Sequence, residues 1–453
     1  MTETTSANLD AVFKAYDVRG LYPGDWDASL ARLIGNAFVR YLNADSIVVG
    51  HDMRTSSPAL AHAFIEGATL AGADVVSIGL ASTDMLYFAS GQMQMAGAMI
   101  TASHNPAEYN GLKLCRASAA PIGEDTGLNQ IKAAVATGLI ERAEEMGEIT
   151  EKNLLDDFRE HCLSFIDRDS ISRLSVVADT ANGMGGLVVP YIFDSLDCSL
   201  DVLFGELDGT FPNHPADPIQ PENLKDLQRR VVETGADVGL AFDGDADRVF
   251  LVDDLGQTLG GFITVALVAQ ALLVKYPGES IVYNLICSHA VPETINASGG
   301  KAIRTRVGHS FIKQVMADSG AIFGGEHSGH FYFRDNFKAD SGLIAALMVL
   351  EVIANSGMKL SVLRKQFETY SQSGEVNSRV SDVAQAIDRV KKAYSDYKMD
   401  ELDGLTIEDT TWWCNVRPSN TEPLVRLNVE ADTQELCDEK TRELLSVIRG
   451  ESA

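Results

Sequence analysis

The stretch Ala96-Gly97-Ala98-Met99-Ile100-Thr101-Ala102-Ser103-His104-Asn105-Pro106 decides how the rest of the chain is read. Its first part, Ala96–Thr101, is a short run of small and apolar residues closed by a turn signal, which predicts a buried strand. In an α/β sheet, polar residues that follow a strand lie at the carboxyl edge, where such folds place their sites. Here they bring a hydroxyl (Ser103), an imidazole (His104) and a proline that stiffens the exit (Pro106), with Lys113 shortly after. That inventory suits a nucleophile with proton-transfer partners. The same residues also make a well-capped turn without chemistry.

Strand and helix signals alternate on both sides of this run. Before it come a helix near Leu30–Leu42, a β-branched strand Ser46–Gly50, an amphipathic helix Ser57–Leu70 and a strand Ala73–Ile78. Such alternation implies a mostly parallel sheet covered on both faces. The charge-rich Glu141–Lys152 reads as a passage between domains. The pattern restarts at Leu174–Asp179, then Asn182–Gly186, the Pro-rich loop Phe211–Pro221 and a helix Glu222–Glu233. Strand Asp237–Phe242 runs into Asp243-Gly244-Asp245-Ala246-Asp247-Arg248, and strand Val249–Val252 leaves it. A third round holds the helix Thr264–Val274, strands Ile281–Ile286 and Ala302–Val307, the loop Gly324–His330 and the helix Leu343–Ala354. The end differs: strand Glu375–Val380, helix Val383–Tyr394, Thr406–Val416 and Leu424–Glu430 as a hairpin, and helix Thr433–Arg449. The expected fold class is α/β. It comprises three tandem α/β domains with mixed, mostly parallel sheets (1–150, 151–254 and 255–368) plus a C-terminal α+β domain (369–453).

The chain of 453 residues carries 37 Lys+Arg against 64 Asp+Glu, a net charge of −27. That balance argues against nucleic acid or an anionic membrane as a partner. An anionic ligand would need basic groups concentrated locally against the overall field, so an Arg or Lys beside a Gly- or Ser-rich loop is informative. Six scattered cysteines read as reduced thiols of a cytoplasmic protein. The polar Met1–Asp10 is no signal peptide. The apolar Phe262–Tyr276 and Leu343–Asn355 are too short to span a bilayer and read as buried helices of a soluble protein.

Three further loops carry chemistry. Asp243, Asp245 and Asp247 repel one another unless a cation neutralises them, and three hard oxygens suit Mg²⁺; the plain alternative is a solvated acidic turn. An EF-hand would need Gly and Glu where Arg248 and Asp254 stand. A dehalogenase-type phosphatase with Asp243 as nucleophile would continue with Gly and Thr, where Ala246 and Asp247 follow. Arg417-Pro418-Ser419-Asn420-Thr421-Glu422-Pro423, with Arg426 beyond it, offers a guanidinium, hydroxyls and an amide to a phosphate, or is simply a polar hairpin turn. Gly324–His330 lacks Lys and Arg. Its Glu326, Ser328 and His330 alternate and suit a neutral polyol, since a buried unpaired partner is costly; core or cap duty is the alternative, and the spacing is wrong for a helical zinc pair. Together the loops describe phosphoryl transfer on a sugar phosphate.

With these loops in view, the sequence resembles the α-D-phosphohexomutase superfamily over essentially its whole length. Thr101–Pro106, Asp243–Arg248, Gly325–His330 and Arg417–Pro423 correspond to its four signature loops, in order and one per domain, around a central cleft. The resemblance implies a phosphorylated Ser103, with Mg²⁺ held by Asp243, Asp245, Asp247 and the phosphoserine. Arg19, His104, Lys113 and Arg248 would surround the transfer centre, with Lys113 and His104 favoured for proton transfer. Glu326 and Ser328 would bind sugar hydroxyls, assisted by His309 and His330, and Arg417, Ser419, Asn420 and Thr421, with Arg426 close by, would take the distal phosphate. It further implies sugar-phosphate substrates, a hexose 1,6-bisphosphate that serves as intermediate and activator, and a monomer or weak homodimer. His327 and the following Phe331–Asp335 favour mannose phosphates, with glucose phosphates as the alternative.

Overall fold

Strand Ser46–His51 lies inside the first sheet because Ile47, Val48 and Val49 are all buried, leaving no face for water. The computed structural model describes residues 6–171, 173–419 and 424–451. Among these, four sheets follow one another along the chain.

The first runs Val18–Leu21, Tyr109–Arg116, Ala96–Ile100, Ser46–His51, Asp74–Leu80, Ile149–Glu151, with Ala120–Pro121 beside Tyr109–Arg116. Ser46–His51 is parallel to Ala96–Ile100 and Asp74–Leu80, whereas Tyr109–Arg116 is antiparallel to both of its main neighbours. The expected passage Glu141–Lys152 therefore ends in a strand, since Ile149–Glu151 pairs with Asp74–Leu80. The second sheet runs Val249–Asp253, Val238–Phe242, Ser175–Asp179, Ser199–Leu203; the first pair is antiparallel and the others parallel. In the third, Lys301–Thr305, Ser280–Asn284 and Phe323–Gly325 are parallel, and Phe331–Phe333 and Ala339–Asp340 continue antiparallel. The fourth is wholly antiparallel and carries helices Val383–Ala393 and Gln434–Arg449. Here the expected strand Thr406–Val416 is two, Leu405–Glu408 and Trp412–Pro418, because the chain turns back between them. The architecture is α/β with a C-terminal α+β unit.

Local chemistry sets the helix ends. Asp27 caps Ala28–Leu42 by accepting from Leu30 N at 3.0 Å. Helix Gly342–Ser356 is capped by Ser341 and closed by Gly357 at φ +62. It is apolar nearly all round, and it is buried accordingly. Among the described residues no single helix is long and apolar enough to cross a membrane.

One apolar core joins the first three sheets: Val48, Met85 and Met99 pack with Phe158, Val188 and Phe242, and with Phe262, Phe331 and Leu347. The C-terminal unit has its own core around Val390, Trp412, Val429 and Leu444. Its seam with the third sheet is largely polar. Arg304 reaches Asp400 at 3.0 Å, Val307 N donates to Asp403 at 3.0 Å, and His289 N donates to Glu430 at 2.9 Å.

Candidate active site

Strand Ala96–Ile100 ends at the carboxyl edge, and the chain turns sharply so that Ser103 adopts φ +50. A serine in this left-handed region is held there by its surroundings. Its N–H donates to Thr101 Oγ1 at 2.9 Å. Its hydroxyl donates to Asp243 Oδ2 at 2.8 Å, accepts from Arg248 Nη2 at 3.2 Å and lies 3.2 Å from His104 Nδ1. The serine loop and the aspartate loop meet closely. A Cβ on Gly244 would stand 2.3 Å from the Ser103 carbonyl oxygen, so only glycine fits there.

Strand Val238–Phe242 delivers Asp243, Asp245 and Asp247 to the same edge, all buried. One carboxylate oxygen of each lies within 4.8 Å of the others. Asp245 Oδ1 and Asp247 Oδ1 are buried without a hydrogen-bond partner, which is costly unless a cation takes them. Three hard oxygens with two orphaned lone-pair sites fit a magnesium-type ion. Burial and the charge of Asp247 push the Asp243 carboxyl up to about 7. Asp243 Oδ2 also accepts from Arg248 Nε at 3.0 Å, and Asp243 Oδ1 from the Arg248 amide at 3.2 Å. With its oxygens so engaged, Asp243 is poorly placed as a phosphatase nucleophile.

Basic groups close the nest. Lys113 Nζ donates to Asp245 Oδ2 and Asp247 Oδ2, both at 2.6 Å. Burial opposes its charge, but the two carboxylates outweigh it and hold the ammonium charged. His104 is the opposite case: burial and the guanidinium groups of Arg248 and Arg19 lower its pKa well below the ordinary value, so the ring is neutral. Arg248 also meets His104 Nδ1 directly. Arg19 Nη1 donates to Asn105 Oδ1 at 2.6 Å. Thr83, at the start of helix Thr83–Met93, donates its hydroxyl to Asp245 Oδ2 at 2.5 Å; nothing in the local sequence marks it.

The third sheet contributes the opposite wall. Arg248 bridges to His330 as an isolated antiparallel β-pair, tying the aspartate loop to Gly324–His330. His330 Nδ1 lies 2.9 Å from Asp340 Oδ2 and 3.9 Å from Asp247 Oδ1. Burial lowers its pKa, yet Asp247 and Asp340 overcome that and raise it. Lys313 Nζ pairs with Asp340 Oδ1 at 2.9 Å. Glu326 accepts from Tyr332 OH at 2.7 Å, Gly308 N at 3.0 Å and Asn284 Nδ2 at 3.3 Å. Ser328 is half-buried two residues on. His309 follows Gly308 and packs edge-on against Tyr16 of the N-terminal segment, 5.0 Å between centroids. Burial and the nearby Lys313 charge lower His309 to about 3. Tyr16 carries no sequence signal, because what faces it comes from the third sheet.

Arg417 and Arg426 stand side by side on paired strands. Both hold Glu375, through Arg417 Nη2 at 2.7 Å and Arg426 Nη1 at 2.8 Å. Arg426 Nη2 also reaches Ser419 Oγ at 3.4 Å. Asn420 and Thr421 lie outside the described residues.

The chain matches four family models in order: Phosphoglucomutase/phosphomannomutase alpha/beta/alpha domains I (residues 10–140), II (153–256) and III (261–370), and the C-terminal domain (375–444). It is 39 % identical over 443 residues to a protein of Xanthomonas campestris pv. campestris named "Phosphohexose mutases", covering 97 % of this chain and 99 % of that one. It is 37 % identical over 448 residues to the "Phosphomannomutase" of Escherichia coli K12, covering 96 % and 98 %. The crystal structure of a phosphoglucomutase/phosphomannomutase family protein from Burkholderia thailandensis superimposes with a TM-score of 0.89 at 30 % identity, covering 98 % of each chain. The chain belongs to the phosphoglucomutase/phosphomannomutase family of phosphohexomutases, isomerases that transfer a phosphoryl group within a sugar phosphate.

Proposed function

We propose that this enzyme interconverts mannose 6-phosphate and mannose 1-phosphate, with phosphorylated Ser103 as donor and a hexose 1,6-bisphosphate as intermediate and activator. The observation that carries this reading is the seat of Ser103 Oγ, 2.8 Å from Asp243 and 3.2 Å from both Arg248 and His104. A carrier serine needs that company: a nest for the metal, a cation for phosphate oxygens and a neutral base for a proton.

The free hydroxyl of the sugar attacks phosphorus, and the Oγ–P bond of Ser103 breaks as the new O–P bond forms. Neutral His104 suits acceptance of the hydroxyl proton, and charged Lys113 suits donation to the leaving serine oxygen. Arg248 and Arg19 take charge on the transferring group. Mg²⁺ held by Asp243, Asp245, Asp247 and a phosphoserine oxygen would neutralise charge spread over that group. Glu326, Ser328, His309 and His330 read sugar hydroxyls, while Arg417, Ser419, Arg426, Asn420 and Thr421 hold the distal phosphate. The bisphosphate then turns over, and its other phosphoryl group returns to Ser103. His327, within the sugar loop, has its ring parallel to that of Phe262 with 6.3 Å between centroids; the preference for mannose rests on which residue stands at this position.

The enzyme works in the cytoplasm as a monomer or weak homodimer, which the free cysteines fit, five of the six being buried. The test compares mannose, glucose and glucosamine 1-phosphates with a trace of hexose 1,6-bisphosphate. The highest kcat/KM is expected with mannose 1-phosphate, and none with Ser103→Ala. A clear preference for either other sugar overturns the assignment.

A further inference from the structure

Arg54 is one of the most deeply buried cations in the molecule: its side chain is 0 % exposed. It stands just past strand Ser46–His51, and its guanidinium gathers four backbone carbonyls from the serine loop. Nη2 donates to Ser103 O at 2.8 Å and Asn105 O at 2.6 Å. Nη1 donates to Pro106 O at 2.7 Å and Tyr109 O at 3.0 Å. The chain from 103 to 109 thus wraps around one side chain with its carbonyls turned inward.

The guanidinium is itself held. Asp52 Oδ2 lies 3.3 Å from Arg54 Nε, and Asp52 Oδ1 accepts from the Arg54 amide at 3.0 Å and from Ser57 Oγ at 2.5 Å. Phe211, from the loop after the second sheet's edge strand, lies 5.0 Å from the guanidinium carbon. Gly209 lets that loop seat on the backbone, where a Cβ would stand 2.5 Å from Arg54 Cα. A side chain serving stability alone has no need of four carbonyls from the one loop that carries the nucleophile. Burying a cation is costly, and here both terminal nitrogens are satisfied by that loop, while Nε has the ion pair with Asp52 and no hydrogen bond.

We propose that Arg54 is a positioning residue for phosphoryl transfer: it holds the serine loop so that Ser103, at φ +50, keeps its Oγ at the aspartate nest. Lysine cannot replace it, since a point ammonium lacks the planar fork that spans both pairs of carbonyls. Arg54 touches neither sugar nor phosphate, so its loss acts on kcat and leaves KM. The inference rests on Ser103 as phosphoryl carrier.

The test uses the full-length enzyme with Mg²⁺ and hexose 1,6-bisphosphate. Intact mass of the parent is measured first: a chain without phosphate on Ser103 removes the carrier reading itself, whatever Arg54 does. Given a phosphorylated parent, Arg54→Lys and Arg54→Ala are expected to lose kcat by about 10²-fold, the effect of roughly 1 Å of misplacement, with KM for mannose 1-phosphate within about threefold. Guanidinium chloride is expected to restore part of the Arg54→Ala activity, whereas sodium chloride at equal ionic strength does not. That rescue separates positioning from a general loss of fold. A kcat within about twofold of the parent, or a raised KM at unchanged kcat, overturns the proposal. If neither variant folds, Phe211→Ala decides, because it removes only a half-buried ring over the guanidinium. A kcat-selective loss supports the role, and an unchanged kcat overturns it.

Discussion

In the proposed reaction the serine–aspartate centre and the distal arginine pair both handle phosphate, yet they are built differently. At the first, Asp243, Asp245 and Asp247 are buried and their neighbours are fixed by contacts between sheets, with Gly244 pressed against Ser103. It rests on the core that joins three sheets, and the strands that lead to Ser103 and Lys113 also pack in the first sheet's own core. The second sits on a unit with its own core, behind a polar seam, and Arg426 and Glu375 are 29 % and 27 % exposed. Bond making at phosphorus tolerates little misplacement, so its groups are cast into common packing. In the proposed reaction the clamp accepts either end of a turning sugar, which a unit able to shift would serve. Glu375 keeps the two arginines together and neutralises one of their charges.

The largest effect expected is at the rigid centre. Ser103→Ala should lower kcat by on the order of 10⁵–10⁶-fold, the loss typical of removing a nucleophile, while stability falls by only about 1–3 kcal/mol for the lost hydrogen bonds to Asp243 and Arg248. Next comes the metal. Chelation should abolish activity reversibly, and Mg²⁺ at about 100 times its Kd should stabilise the parent by about 2.7 kcal/mol. Thermal denaturation should show that gain vanish in Asp245→Asn; a variant that still responds fully would break the assignment of the nest.

The clamp should answer in another way. Arg417→Ala and Arg426→Ala should each raise KM by about 10- to 100-fold, as charged hydrogen bonds worth about 1.5–3 kcal/mol are lost, with kcat changed much less. Steady-state kinetics with both mannose phosphates checks this, and a fall in kcat alone would erase the contrast between the two regions. The smallest effect belongs to a control outside both. His214 Nε2 meets buried Asp179 at 3.1 Å; burial opposes the charged ring, but Asp179 overcomes it and raises the pKa. Its contribution is therefore complete below the ordinary histidine value of about 6.5 and lost as pH rises through the higher folded value. His214→Ala should cost about 1 kcal/mol in acid and less in alkali, read by urea denaturation with kcat unchanged.

The two regions also differ in how much the sequence discloses. Helix Ser57–Leu70 has the bounds expected of it, because its apolar spacing and Pro58 are local signals. The clustered aspartates are similarly self-announcing. Strand Tyr109–Arg116 escapes notice since Asn110, Gly111 and Lys113 break its alternation; its place is fixed by two neighbours distant in sequence. Arg54, Tyr16, Thr83 and Glu375 have no motif at all. Each matters through partners that only tertiary folding brings near, such as the carbonyls around Arg54 or the paired arginines around Glu375. The break between Leu405–Glu408 and Trp412–Pro418 was hidden by polar residues that suit either a strand or a turn.

The central claim is that Ser103 lends its phosphoryl group and takes one back. The direct measurement mixes phosphorylated enzyme with an equimolar amount of mannose 1-phosphate and follows the intact protein mass and the sugar products together within a single turnover. The mass of one phosphoryl group is expected to leave the chain as hexose 1,6-bisphosphate forms, then to return as mannose 6-phosphate appears. Free phosphate released without a bisphosphate, or turnover with Ser103 never phosphorylated, would contradict it.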